Sequence, residues 1–246
     1  MIKLSATSLK DYKSCNYKMY LRKLPYEYGT TVPLLTGTIV HDTIEAYEKG
    51  KYDTEKEAIV TACNTVNEAV GGTVKFTQWD SVPKIHDNVR KMLQNYFKYR
   101  EGDIKRVEWS FEVGLESVDG IPYAIIGRID QLVDIDGAVS VVDLKTSRKP
   151  PTKFEILGDY QFTMYALAFY HEYGYLPDYI CNFWLPKGVY IEYPRTNNDI
   201  TEFKQLLDQT VYELTEIKEN WRDHHKSKGY QCNFCNYANA CYGIGE

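Results

Sequence analysis

At about Arg106 the hydrophobic pattern of the chain changes its period from about 3.6 residues to 2. Val107, Trp109, Phe111, Val113 and Leu115 alternate with Glu108, Ser110, Glu112 and Gly114, the pattern of a half-buried strand. Val118-Asp119-Gly120 turns the chain into a second strand over 121–134, and Asp136-Gly137 turns it again into a third over 138–146. Three antiparallel strands in succession commit the chain to a sheet. The segments on either side commit it to helices that cover that sheet.

Before the meander, Ser5, Thr7 or Ser8 is placed to cap a helix within 3–22 whose Tyr12, Cys15, Met19 and Tyr20 form one stripe. Pro25 and Pro33 are expected to break the chain into a loop. A second helix starts near Thr36 and runs through His41, Ile44, Tyr47 and Glu48. Residues 54–70 and 84–100 read as further helices, the latter with Ile85, Val89, Met92, Tyr96 and Tyr99 on one face. After the meander, Pro150 and Pro151 precede an aromatic-rich helix over 155–173. A strand from Tyr179 to Leu185 pairs with Val189 to Tyr193, and an amphipathic helix over 198–226 leads to a cysteine-rich tail. There is no internal repeat, and the order of elements suits an α/β sandwich better than a doubly wound parallel sheet.

At 246 residues and 43% apolar content the chain can bury one substantial core. No stretch reaches the roughly 18 apolar residues of a membrane span, and Met-Ile-Lys-Leu-Ser lacks the apolar run of a signal peptide, so an intracellular, cytoplasmic place is expected. The net charge of −5 does not advertise nucleic-acid binding, yet residues 1–23 hold six Lys or Arg against Asp11 alone. Arg148, Lys149 and Lys153 follow the third strand. Such patches meet phosphates or serve as a solvated surface.

In a strand, residues two apart share a face, so Asp143 and Lys145 project together with Val139 and Val141, while Leu144 points into the opposite layer. Asp130, on the preceding strand, can lie across from them. Two carboxylates beside a lysine suit a hard divalent cation such as Mg²⁺. The cation would polarise a phosphodiester and activate water, with Lys145 steadying developing charge. A solvated Asp-x-Lys pair is the plain alternative. It fits poorly at the end of an otherwise apolar strand, where an uncompensated carboxylate is costly. Glu112 is a further acid on the polar face of the first strand.

These residues resemble the RecB-type branch of the PD-(D/E)xK nuclease superfamily. Leu4-Ser-Ala-Thr-Ser-Leu-Lys-Asp-Tyr-Lys-Ser-Cys15 is similar to that family's opening helix, and Gly37-Thr-Ile-Val-His41 to its Gly-x-x-x-His motif. Gly127-Arg-Ile-Asp130, Asp143-Leu-Lys145 and Gln161-Phe-Thr-Met-Tyr165 match three more motifs in the family's order. The resemblance implies a mixed central sheet flanked by helices in one nuclease domain, 1–246. Its parts would be a helical region 1–105, a core 106–195, and a C-terminal helix with a cysteine staple 196–246. It also implies His41, Asp130 and Asp143 as metal ligands with the Leu144 carbonyl as a fourth. Gln161 and Tyr165, one helical turn apart, would contact the lysine, the phosphate or the water. An imidazole ligand admits Mn²⁺ beside Mg²⁺. Taken alone, His41 and Tyr165 also suit structural roles on their helices.

Cys232, Cys235 and Cys241 place three thiolates within the last 15 residues, one short of the usual four around a metal centre. Candidates for the fourth are Cys15, Cys63, Cys181, His224 and His225. Cys63 and Cys181 sit in apolar patterns, where free cysteine behaves as a small hydrophobe, which leaves Cys15 among the cysteines. The tail resembles that of an iron–sulfur subgroup which includes the AddB-type nucleases and CRISPR-associated exonucleases. In that group one cysteine of the opening helix joins three at the end. Asn16 stands here where the group has proline. The resemblance implies a 4Fe–4S cluster; a zinc ion and unmetallated thiols are the other readings. It further implies a DNA exonuclease acting on single strands or ends, in recombination, repair, phage DNA processing or CRISPR adaptation. Protein partners of such a complex would accompany it. A catalytically silent DNA-binding subunit is the rival.

Overall fold

In the computed structural model, which describes residues 1–22, 24, 29–72, 74–217 and 224–242, the alternating segment forms long strands. They are β2 (Asp103–Glu116), β3 (Pro122–Ile135) and β4 (Ala138–Lys145), paired antiparallel in succession. Asp136 and Gly137 both take positive φ, 54° and 89°, between the paired Ile135 and Ala138. A two-residue hairpin of that hand matches the twist of its strands, and Asp-Gly is the sequence that adopts it cheaply.

Two further strands extend the sheet: β5 (Tyr179–Trp184) runs parallel to β4, and β6 (Val189–Glu192) antiparallel to β5. A sixth, β1 (Ile2–Leu4), runs parallel to β3. The sheet is therefore mixed. One face packs on α3 (Val32–Glu48), α4 (Glu55–Ala69) and α5 (Val82–Tyr99), through Ile39, Ile44, Val89 and Leu93 against Val142, Leu144 and Phe183. The other packs on α1 (Ala6–Ser14), α7 (Tyr160–Tyr173) and α8 (Asn197–Glu216), through Leu9, Phe162, Phe169 and Leu207 against Ile125, Ile129 and Val141. Val141 and Leu144 thus face opposite layers, as the alternation requires.

The helical expectations hold with shifted ends. Pro33 opens α3 rather than breaking the chain: Thr31 caps that helix, and a proline in its first turn costs no hydrogen bond. Pro25 lies outside the described residues. The segment expected as one helix over 3–22 is β1, then α1, then α2 (Asn16–Leu21). Ser5 and Ser8 form a capping box at the head of α1. The helix expected over 155–173 is split into α6 (Lys153–Leu157) and α7, with Asp159 capping α7 through Gln161 N. α8 ends at Glu216; of its expected extension to 226, residues 218–223 lie outside the described residues. The tail carries a 3₁₀ turn, Tyr230–Phe234, and α9 (Ala238–Tyr242).

Gly127 of β3 is paired with Phe111 of β2, and a Cβ on it would come within 2.4 Å of the Phe111 ring. The ring lies over the bare backbone and meets Tyr165 edge-on at 6.2 Å. Gly127→Ala is expected to cost about 1–3 kcal/mol. Thermal unfolding would show this as a fall of about 2–4 °C per kcal/mol. An unchanged midpoint would mean that Phe111 moves aside freely.

Candidate active site

The site lies where one edge of β3 is left uncovered. β2 occupies the whole of the other edge. On the site edge, β1 pairs with Tyr123, Ala124 and Ile125, and β4 pairs with Gln131 through Ile135. Residues 126–130 between them have no strand neighbour on that side. Backbone groups exposed by such a gap need other partners, and side chains of the site supply them. Asp130 Oδ2 accepts from Leu144 N at 2.6 Å, and the Tyr165 hydroxyl donates to the Arg128 carbonyl at 2.7 Å. The gap opens into a cleft of about 540 Å³ walled by Arg128, Asp130, Asp143, Lys145, Gln161, Tyr165, His41 and the start of α1.

α3 brings His41 to this gap. Gly37, one turn earlier, allows the approach: a Cβ there would stand 3.1 Å from Thr146 Oγ1, just past Lys145. His41 Nδ1 stands 3.6 Å from Asp130 Oδ2. Burial holds the imidazole below its ordinary range, although the Asp143 charge pulls it up. Burial first, and then the Asp143 charge, push the Asp130 carboxyl well above its own range. The two groups therefore do not form a settled ion pair. They are two electron-pair donors facing each other across the gap.

Asp143 is turned the other way. Its Oδ1 accepts from Gln161 Nε2 at 3.0 Å and from the Tyr165 hydroxyl at 3.2 Å, and Lys145 Nζ stands 2.6 Å from Oδ2. Gln161 Oε1 accepts from Lys145 Nζ at 3.0 Å, and its amide reaches the Tyr165 oxygen at 2.7 Å. Burial opposes the charge on Lys145, but the adjacent carboxylate outweighs it and holds the pKa above the ordinary lysine range. Burial, then Asp143, raises the Tyr165 phenol, which stays a hydrogen-bond donor. Tyr165 is both core and site: 4% exposed, its ring packs among Phe111 and Phe162 while its hydroxyl serves Asp143.

His41, Asp130, Asp143, Leu144, Lys145, Gln161 and Tyr165 all line this one cleft, but they do not gather around one point. The ligand atoms that converge within 4.8 Å of one another belong to His41, Asp130 and Glu108. Glu108 was not distinguished by the sequence; Glu112 was, and it pairs instead with Lys3 on the exposed side of β2. Glu108 takes φ of 54° in mid-strand, opposite Asp130, with a register shift just before it between Ile104 and Arg106. A left-handed glutamate inside a strand is uncommon, and no residue pattern announces it.

Cys15, Cys232, Cys235 and Cys241 line one cavity of about 420 Å³. Burial lifts the Cys241 thiol above its ordinary range; Lys226 opposes this, and the three other cysteines add to it. No three of their sulfurs lie within 4.8 Å of one another. Cys181 is buried in the core as expected, and Cys63 is half-buried on α4. His224 Nδ1 is held at 2.6 Å by Asn16, and Tyr17 N donates to the His225 carbonyl at 3.0 Å. The chain ends are thus tied by protein contacts as well.

A mixed central sheet flanked by helices thus carries a cleft lined by His41, two aspartates and the half-buried Lys145. The chain belongs to the PD-(D/E)XK nuclease superfamily, whose family model matches residues 3–242. Such nucleases act on DNA with a divalent ion such as Mg²⁺ or Mn²⁺. No curated protein matches the chain. The solved structure described as "Crystal structure of SSO0001" is 16% identical, covering 98% of this chain and 96% of that one at a TM-score of 0.37.

Proposed function

We propose that the chain is a DNA exonuclease that acts on single strands or ends, with the cleft along β3 as its active site. The supporting observation is the division of labour across that cleft. His41 and Asp130 form a nitrogen-plus-oxygen donor pair on one side, and Asp143, Lys145, Gln161 and Tyr165 form a closed hydrogen-bonded set on the other. The donor set of one imidazole and carboxylates, with the Leu144 carbonyl beside them on β4, fits Mg²⁺ or Mn²⁺. Such an ion supplies charge to polarise the phosphodiester and to acidify a water.

The chain's own residues then do the positioning. Lys145, protonated beside Asp143, presents hydrogen-bond donors and positive charge to a phosphate whose charge grows during attack; it is not a proton acceptor. Gln161 holds the ammonium and the Asp143 carboxylate at once, so the ammonium cannot turn away into solvent. The single Tyr165 hydroxyl proton is shared between the Arg128 carbonyl, at 2.7 Å, and the Asp143 carboxylate, at 3.2 Å. The Ser5-capped start of α1 forms a wall of the cleft, where its free backbone N–H groups suit a substrate phosphate. The test is DNA labelled at either end, with free or blocked termini and in circular form, incubated with Mn²⁺. Mononucleotides released from free ends and no cutting of circles is the expected pattern. Internal cuts in circles would make the activity endonucleolytic.

For the tail we propose a 4Fe–4S cluster on Cys15, Cys232, Cys235 and Cys241, in one domain whose last segment is joined to α2's start. The support is the cavity that all four line. Cys15→Ser is expected to remove the brown absorbance and the bound iron and to lower the unfolding temperature. Colourless protein with stoichiometric zinc would exclude the cluster. No helix among the described residues is long and apolar enough to cross a membrane. A cytoplasmic place in recombination, repair, phage DNA processing or CRISPR adaptation, with partner proteins of that pathway, completes the reading.

A further inference from the structure

Glu108 and Arg128 have no part in the chemistry above, yet both stand at its centre. The Glu108 side chain is only 8% exposed although it belongs to an exposed-face position of β2. One of its oxygens converges with His41 and Asp130 within 4.8 Å. Its Oε2 is buried and accepts no hydrogen bond. Arg128 Nε closes on that oxygen as an ion pair without hydrogen-bond geometry. Asp42 and Glu45 of α3, and Lys49 at its C-cap, also act on Glu108 from the facing helix. Arg128 itself is 63% exposed, and its residue lines the cleft.

We propose that Glu108 is an additional ligand of the divalent cation, and that Arg128 is a latch that occupies Glu108 until the cation displaces it. The inference rests on the reading of His41 and Asp130 as a metal centre, and it goes beyond it in two ways. It gives the centre a carboxylate from β2, directly across the strand pair from Asp130. It also gives metal binding a second consequence, because the released guanidinium lies at the cleft where a DNA phosphate would run. Arginine suits that task through its fork of donors. Metal loading and substrate binding would then be linked: each favours the state in which Arg128 has left Glu108.

The experiment is a Mn²⁺ titration of the full chain, followed by calorimetry and by the electron spin resonance of free Mn²⁺. Single-stranded DNA affinity is measured in parallel by anisotropy, with and without Mn²⁺. Asp130→Asn serves as the control for the underlying reading. If that variant binds Mn²⁺ as wild type does, the metal centre itself is misplaced. With Asp130→Asn defective, Glu108→Gln is expected to weaken Mn²⁺ binding at least tenfold. Arg128→Gln is expected to tighten it severalfold while lowering DNA affinity in the presence of Mn²⁺. In the double variant the Arg128 substitution should no longer change Mn²⁺ affinity, since its competitor's target is gone. Glu108→Gln within twofold of wild type would overturn the ligand, and Arg128→Gln that weakens Mn²⁺ binding would overturn the latch. The Arg128 side chain is largely exposed, so its variant reports even if the glutamine at 108 disturbs folding.

Discussion

Lys145→Ala is expected to lower Mn²⁺-dependent DNA cleavage by about a hundredfold to a thousandfold, the loss typical of removing one preorganised donor from a reacting oxyanion. The ammonium stands 2.6 Å from Asp143 and 3.0 Å from Gln161, at the rim of the cleft with a third of its side chain exposed. Removing it takes away charge where the phosphate must sit, but no core packing. The variant should therefore fold, and it should still bind Mn²⁺, because His41 and Asp130 lie on the far side. Activity measured under single-turnover conditions separates this from weakened substrate binding. A variant that cuts within tenfold of wild type would remove Lys145 from the chemistry.

Asp130→Asn is expected to produce the opposite signs in stability and function. Around Asp130 stand His41 from α3, Glu108 from β2, and Asp143 and Lys145 from β4. Its folded-state pKa is raised, first by burial and then by Asp143. Such a carboxyl contributes stability below its unfolded pKa, near 4, and that contribution is lost as pH rises through the folded value. Above that unfolded pKa, holding this carboxyl in the metal-free site therefore destabilises the fold. Asparagine keeps an oxygen for the Leu144 N–H and drops the charge. The metal-free variant should melt several degrees higher than wild type, at about 2–4 °C per kcal/mol for a chain of this length. Wild type should gain stability with Mn²⁺, by about 2.7 kcal/mol at a hundred times the dissociation constant, and the variant should not. A site kept at a cost to the fold is the usual relation between stability and activity. A less stable metal-free variant would show that Asp130 serves the fold rather than the cation.

What the sequence made legible was whatever depends on local period and local caps. The alternation from Val107 to Lys145 foretold three strands, and the Asp-Gly pair foretold their hairpin. Parity along β4 put Asp143 and Lys145 together and Leu144 opposite. His41, Gln161 and Tyr165 came from motif resemblance, and their residue chemistry alone left core roles open. The structure adds what only distant pairing decides. β1 is three residues long and exists because β3 offers it an edge, so the Ser5 cap next to it hid it inside an expected helix. The parallel pairing of β4 with β5 likewise has no local mark. Glu108 and Glu112 share one parity in the sequence. A single left-handed residue at Glu108 marks the difference, sending one acid into the site while the other pairs with Lys3 outside. Parity alone therefore does not separate the two acids.

The central claim is that a divalent cation held at the β3 gap drives phosphodiester cleavage in the adjoining cleft. The most direct measurement titrates one protein preparation with Mn²⁺ after chelation, recording bound metal and DNA cleavage in the same samples. The expected result is no cleavage in the chelated protein, with cleavage rising over the same concentration range as metal bound. Cleavage by metal-free protein, or cleavage that saturates where no Mn²⁺ is bound, would contradict it.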